Sequence, residues 1–232
     1  MQPDVKRAFV LGGTGAVGSA VLRELARRQV PAVFTYRRSE EAARVLAGEL
    51  GHRAVRCDLA DPTATAACLD AEDTPDVVIH TAAISGSHAL VEIDGATWRE
   101  MMTVNVESAH AVCRWIAQRG KPCDIVLVGG LDRTQSLPLP VHFAATQGAL
   151  AALAMAAAHE LGPRGVRINL VALGVLDAGL SQGLASRRRT DYMAFSALRR
   201  VGTPAEAARA IVWLALENTF IQGKVIPVTG GI

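Results

Sequence analysis

"RAFVLGGTGAVGSAVLRELARR" (7–28) decides the architecture. Its first seven residues are a short apolar run that stops at glycines, and a helical pattern follows with Val17, Val21 and Leu25 on one face. A strand that passes through a glycine turn into a helix is the opening unit of a sheet with helices packed on it. The glycines let the chain turn tightly. They also let an anionic group approach the free N–H groups at the start of the helix, where the helix dipole favours negative charge. A lone glycine motif is weak evidence, but its place at the first strand–helix junction strengthens it.

The same alternation continues to the other end of the chain. "AVFTYR" (32–37), "RAVRCDL" (53–59), "DVVIHTAA" (76–83), "DIVLVGG" (124–130), "VRINLVALG" (166–174) and "KVIPVTGG" (224–231) read as strands. The run 124–130 lacks alternation, as expected of a strand covered on both faces. "SEEAARVLAGELG" (39–51) reads as a helix that Ser39 caps and Gly51 stops, with Ala43, Leu46, Ala47 and Leu50 on one face. Residues 97–118 read as a third helix, with Trp98, Met102, Val112, Cys113 and Ile116 as its expected buried positions. An alanine-rich helix spans 143–161. The last helix, 203–217, has Thr203 as cap, Pro204 at the first helical position and Glu206 at the third. Six or seven strands alternating with helices imply the α/β class: a single Rossmann-type domain over 1–232, a doubly wound parallel sheet with helices on both faces.

Half of the 232 residues are hydrophobic and a fifth are charged, enough for a packed core and against disorder. A formal net charge of +2 gives no reason to expect nucleic acid or an anionic membrane as partner. No apolar run reads as a membrane span, and "MQPDVKRAFVLGG" enters a strand without the features of a signal peptide. A cytoplasmic protein is expected. Cys57, Cys68, Cys113 and Cys123 form no CxxC pair, and the six histidines (His52, His80, His88, His110, His142, His159) are scattered. Small apolar thiols and no metal site are the expectation.

Gly12, Ala16 and Gly18 fit the pattern TGxxx(G/A)xG, with Leu11 in place of the threonine. With these residues the chain resembles the short-chain dehydrogenase/reductase superfamily along its whole length. "RGVRINLVALG" and "RRVGTPAEAARAIVWLALENTFIQGKVIPVTGG" are similar to its 3-oxoacyl-carrier-protein reductase branch. The resemblance implies NADP(H) as cofactor. Gly12, Thr14, Gly15, Val17 and Gly18 would surround the pyrophosphate. Arg37 and Arg38 in "TYRRSEE" suit a 2′-phosphate, where NAD enzymes tend to place an acid. Asp58 and Leu59 would contact adenine, and Thr81, Ala82 and Ala83 would line the cofactor. The resemblance further implies a small acyl or polyketide-type substrate, free or carrier-bound. Arg187, Arg188 and Arg189 would then meet an acidic carrier or form a solvated turn. It also implies a homodimer or homotetramer through helices 97–118 and 143–161 and the last strand, or a hetero-oligomer with an active paralogue.

In active members a tyrosine moves the proton at the substrate oxygen. A lysine four residues on lowers its pKa and holds the nicotinamide ribose, a serine polarises the carbonyl, and an asparagine holds a water. Asn105 in "TVNVES" matches the asparagine. Gly130 falls at the serine. In "VHFAATQGALAALA" (141–154), Phe143 stands at the tyrosine and Gln147 at the lysine. Leu173 replaces a proline, and Ala178 replaces the threonine that contacts the nicotinamide amide. The chain has two tyrosines and three lysines, and Lys6, Lys121 and Lys224 lie far from the ligand edge, so no displaced pair is at hand. Substitutes are few. His142 adjoins Phe143 but sits about 100° further round the helix, so it should point away. Tyr192 belongs to the segment 176–200, expected to be a mobile lid that could bring a phenol on closure. Asp132 follows Gly130. His80 should pack at its strand's end, and Ser85, Ser87 and His88 should be solvated or cap helices. Three functions fit: a ketoreductase-like NADP(H)-binding protein repurposed for other acyl chemistry, a noncatalytic partner of an active paralogue, or an unusual, weak NADPH-dependent carbonyl reductase.

Overall fold

A computed structural model describes residues 6–130 and 139–232. Seven strands among them form one parallel sheet: β1 (Ala8–Leu11), β2 (Ala32–Tyr36), β3 (Arg53–Arg56), β4 (Val77–His80), β5 (Cys123–Gly130), β6 (Val166–Leu173) and β7 (Val225–Val228). Their order is β3-β2-β1-β4-β5-β6-β7. The winding therefore reverses between β1 and β4, where Leu11 pairs with His80, and the carboxyl ends of these two strands open the crevice in which such sheets bind ligands.

Alternate side chains of the strands enter opposite cores. Ala8 and Val10 join one apolar cluster with α1 (Ala16–Arg27), α2 (Glu40–Leu50) and α8 (Pro204–Leu216). Phe9 and Leu11 join the other with α3 (Pro62–Asp70), α5 (Ser108–Arg119) and α6 (Val141–Leu161). β1, β4 and the first six residues of β5 are buried throughout, which explains their unbroken apolar runs. In α8 the expected capping box is present: Thr203 Oγ1 accepts from Glu206 N at 3.2 Å, and Glu206 Oε2 accepts from Thr203 N at 2.9 Å.

Three expectations need correction. The helix read over 97–118 is two helices, α4 (Gly95–Met102) and α5, joined by a π-helical turn at Thr103–Glu107. Trp98 on α4 is exposed rather than buried, and Met101 rather than Met102 faces the core. In length and composition, Val141–Arg164 would suffice to cross a membrane, contrary to the expectation that no run would. Its Leu150, Ala154 and Ala158 are buried in the sheet's second core, the position of a core helix.

Candidate functional site

The glycine loop is clamped between neighbouring strands. Gly12 N donates to Thr35 Oγ1 at 3.0 Å, Gly13 N to the Thr35 carbonyl at 2.9 Å, and Thr81 Oγ1 to the Leu11 carbonyl at 2.7 Å. Gly12 has φ +81°, and a Cβ there would lie 2.8 Å from the backbone of Ala82, so neither the conformation nor the space admits a side chain. A Cβ on Gly18 would overlap the Gly12 carbonyl, and one on Gly13 would overlap the Phe34 ring. Gly15 caps α1 without a side chain, and no acid sits in the first turn, so the leading N–H groups stay free for an anion.

Arg37 and Arg38 follow β2, half-buried and exposed respectively. Asp58 and Leu59 follow β3 on the same edge of the sheet. Arg37 Nε lies 3.7 Å from Asp58 Oδ1, which also accepts from Ala60 N at 3.0 Å, and Leu59 is buried. These residues fit the adenosine half of a dinucleotide: a cradle only glycine can form, next to two guanidinium groups. The Thr81 hydroxyl is turned to the loop's own backbone, at the Leu11 and Gly12 carbonyls. Past β6, a 3₁₀ turn at Gly179–Gly183 approaches the start of α1, with a Cβ on Gly179 falling 3.1 Å from Ala16 Cβ.

The residues expected at the reaction end form a closed cluster. Gln147 Oε1 accepts from Gly130 N at 2.7 Å, and Gln147 Nε2 donates to Thr146 Oγ1 at 3.0 Å. Thr146 Oγ1 donates to the Phe143 carbonyl at 2.7 Å and accepts from Asn105 Nδ2 at 3.2 Å. The Phe143 ring takes up the room beside Gly130, where a Cβ would meet it at 3.3 and 3.4 Å. Phe143, Thr146, Gln147 and Asn105 are all buried. None of these side chains titrates near neutrality, so the cluster can orient a group but cannot exchange a proton with it.

The candidate substitutes are placed elsewhere. Asn105 does not hold its amide open for a water: Oδ1 accepts from Ile84 N at 2.8 Å, and Nδ2 donates to the Ile84 carbonyl at 2.9 Å. It stitches the loop after β4 to the π-helical turn. Tyr192 on α7 (Ser186–Phe195) is 1% exposed, and its hydroxyl donates to the Thr229 carbonyl, so it is no phenol waiting for closure. Burial also pushes its pKa up. The expected lid is tied to the chain's end, with Ser196 Oγ donating to the Gly230 carbonyl at 2.9 Å and Ala197 N to Gly231 at 3.1 Å. His80 is buried at its strand's end with Nε2 2.7 Å from Ser108 Oγ. The Ser108 hydroxyl donates to the Val104 carbonyl, so the ring donates to it, and burial pushes the pKa of His80 down to about 4.

His142 does turn away from Phe143, towards Gly86 and the exposed His88. Ser85 and Ser87 are exposed, as expected. Arg187 and Arg188 are exposed on α7, and Arg189 is half-buried. Asp132 lies outside the described residues. Lys6 reaches the Leu216 carbonyl at 3.0 Å and Asp124 at 3.8 Å, beside the start of β5 and away from the ligand edge. Sequence reasoning missed Thr35, Phe34 and Ile84, whose roles come through tertiary contacts that no local pattern announces.

The family model described as enoyl-(acyl carrier protein) reductase matches residues 13–232. The chain belongs to the short-chain dehydrogenase/reductase superfamily. It is 28% identical to the cyclic-di-GMP-binding biofilm dispersal mediator protein of Escherichia coli K12, over 97% of this chain and 96% of that one. It is also 28% identical to the 3-oxoacyl-[acyl-carrier-protein] reductase MabA of Mycobacterium tuberculosis H37Rv, over 99% and 94%. A Burkholderia cenocepacia short-chain dehydrogenase solved with NADP superposes with a TM-score of 0.89 at 25% identity, covering 98% of each chain. The expected branch and fold are thereby borne out.

Proposed function

We propose that this short-chain dehydrogenase/reductase binds NADPH through its adenosine half and has lost the serine–tyrosine–lysine route of carbonyl reduction, acting on an acyl or polyketide-type group by shape and position. The observation that carries this reading is the bond from Gly130 N to Gln147 Oε1 beside the Phe143 ring. The glycine cradle, the two arginines after β2 and the NADP complex of the Burkholderia relative support the nucleotide.

When bound, NADPH supplies hydride. The chain's own residues do less than in a standard reductase. The N–H groups at the start of α1 would hold phosphate, and Arg37 and Arg38 would meet the 2′-phosphate. Phe143 offers an apolar edge, and Gln147 is neutral and turned to β5. A proton for any developing alkoxide would come from water, at a loss of roughly 10²–10⁴ in rate against a positioned acid.

The test titrates the protein with NADPH, following nucleotide fluorescence with NADH as control. It then compares NADPH consumption on a β-ketoacyl thioester by the wild type and by Gly130→Ser/Phe143→Tyr/Gln147→Lys. Tight NADPH binding, slow turnover and a gain in the triple variant are expected. Wild-type turnover equal to that of an intact reductase would refute the reading.

A further inference from the structure

His142 is 1% exposed, yet neither of its ring nitrogens has a hydrogen-bond partner among the described residues. A polar group buried in this way costs about 1–3 kcal/mol, so it calls for an explanation. One neighbour supplies it. An ideal Cβ on Gly86 would lie 2.6 Å from His142 Nε2 and 3.2 Å from His88 Nδ1. Nitrogens of two different imidazoles thus flank Gly86, whose lack of a side chain lets the His142 ring pack there. The rings are edge-on, with centroids 5.8 Å apart and planes at 68°, so they do not stack. Both are tethered: His142 is on the first turn of α6, and His88 is on the loop that Asn105 clamps at Ile84.

The chemistry of the pair selects its ligand. Desolvation, and then the neighbouring His88, hold the pKa of His142 below the ordinary value, so its ring stays neutral. A neutral His142 does not attract phosphate or carboxylate. Hard cations such as Mg²⁺ and Ca²⁺ prefer oxygen ligands. Paired imidazole nitrogens suit a borderline transition ion.

We propose that His142 and His88 form an open, two-imidazole binding site for a divalent transition-metal ion, with Zn²⁺ as the probe. Among the described residues no group of three or more His, Cys, Asp and Glu side chains is arranged for a metal. The ion would therefore keep exchangeable positions, and its affinity would be modest. This site does not depend on the nucleotide reading.

The experiment titrates the full-length, metal-stripped protein with Zn²⁺ by calorimetry, with melting temperatures recorded for every variant. One ion per chain is expected, bound less tightly as pH falls and imidazole protonates. His142→Gln and His88→Gln should each weaken binding by at least about tenfold, the low end of what losing even an outer-shell partner costs. Gly86→Ala is the sharper variant. It keeps both imidazoles and needs no left-handed backbone, but its methyl group would overlap His142 Nε2 and force that ring away from His88, so it too should lose the ion. His159→Gln, exposed on α6, should change nothing. His88 is exposed, so its variant should fold even if that of His142 does not. No binding by the wild type, or binding that survives His88→Gln and Gly86→Ala, overturns the proposal.

Discussion

Returning a lysine to position 147 without its partners should destabilise the protein. Gln147 Oε1 accepts from Gly130 N at 2.7 Å, and an ammonium cannot accept. Leaving that donor unpaired costs about 1–3 kcal/mol. The position is 6% exposed, so the charge also loses hydration. Together these amount to about 2–4 kcal/mol, or about 4–16 °C in Tm for a chain of this size. Gln147→Met separates the two costs, because it removes the acceptor and adds no charge. The pH dependence separates them again. The buried lysine has its pKa below the unfolded value of about 10.4. Between the two values the unfolded chain binds more protons, so stability rises with pH. The deficit of Gln147→Lys should therefore narrow between pH 7 and 10, while that of Gln147→Met stays constant. Thermal melts of the three proteins across that range are the assay. A Gln147→Lys protein that melts at or above the parent at pH 7 would refute the claim that this amide is a structural clamp.

Two further outcomes follow from other parts of the chain. Replacing Arg37 and Arg38 by alanine should weaken NADPH by about tenfold or more, at about 1.5–3 kcal/mol per charged hydrogen bond, and leave NADH nearly unchanged; equal losses for both nucleotides in the fluorescence titration would remove the 2′-phosphate role. Glu24 accepts from Arg27 at 2.7 and 2.9 Å and from Arg28 at 2.8 Å, and the Arg27 bonds lead in holding its pKa down at about 2, against burial. Its folded pKa is depressed, so its stabilisation is present above pH about 4.5 and is lost as pH falls towards 2. Arg27 is exposed and screened, which reduces the full linkage value of about 3 kcal/mol to about 1–2 kcal/mol. Glu24→Gln should thus melt about 2–8 °C lower at pH 7, with the gap closing in acid; a gap that stays constant down to pH 2 would show that the ion pairs do not carry it.

What could be read from the sequence is what local chemistry determines. The glycine loop, the alternation of elements and the Thr203–Pro204–Glu206 start of α8 were all legible, because each depends on residues within one turn of each other. α3 was overlooked although Asp61 and Pro62 announce it, with Asp61 Oδ1 accepting from Thr63 N and Ala64 N. The π-helical turn was hidden, since Asn105 acts through Ile84, 21 residues away. Tyr192 departs from the expectation of a mobile lid over 176–200 because its hydroxyl partner, Thr229, lies 37 residues on. His88 and His142 looked scattered for the same reason: only the fold brings their nitrogens to Gly86.

Gly130, Phe143 and Gln147, which we propose stand in place of serine, tyrosine and lysine, make sense as one unit. With Gln147 in place, the hydroxyl of a serine at 130 competes with Gly130 N for Gln147 Oε1, and the Phe143 ring beside it offers no polar partner. With Gln147 in place, a tyrosine at 143 has no cation to lower its pKa from about 10, so it stays a poor proton carrier at neutrality. With Phe143 and Gly130 in place, a lysine at 147 is a buried charge without a partner. Each single reversion therefore costs stability or yields no acid–base group, and only the joint change offers phenol, ammonium and hydroxyl to one another. The gain in NADPH consumption should accordingly be strongly non-additive: nearly absent from each single variant and concentrated in the triple one.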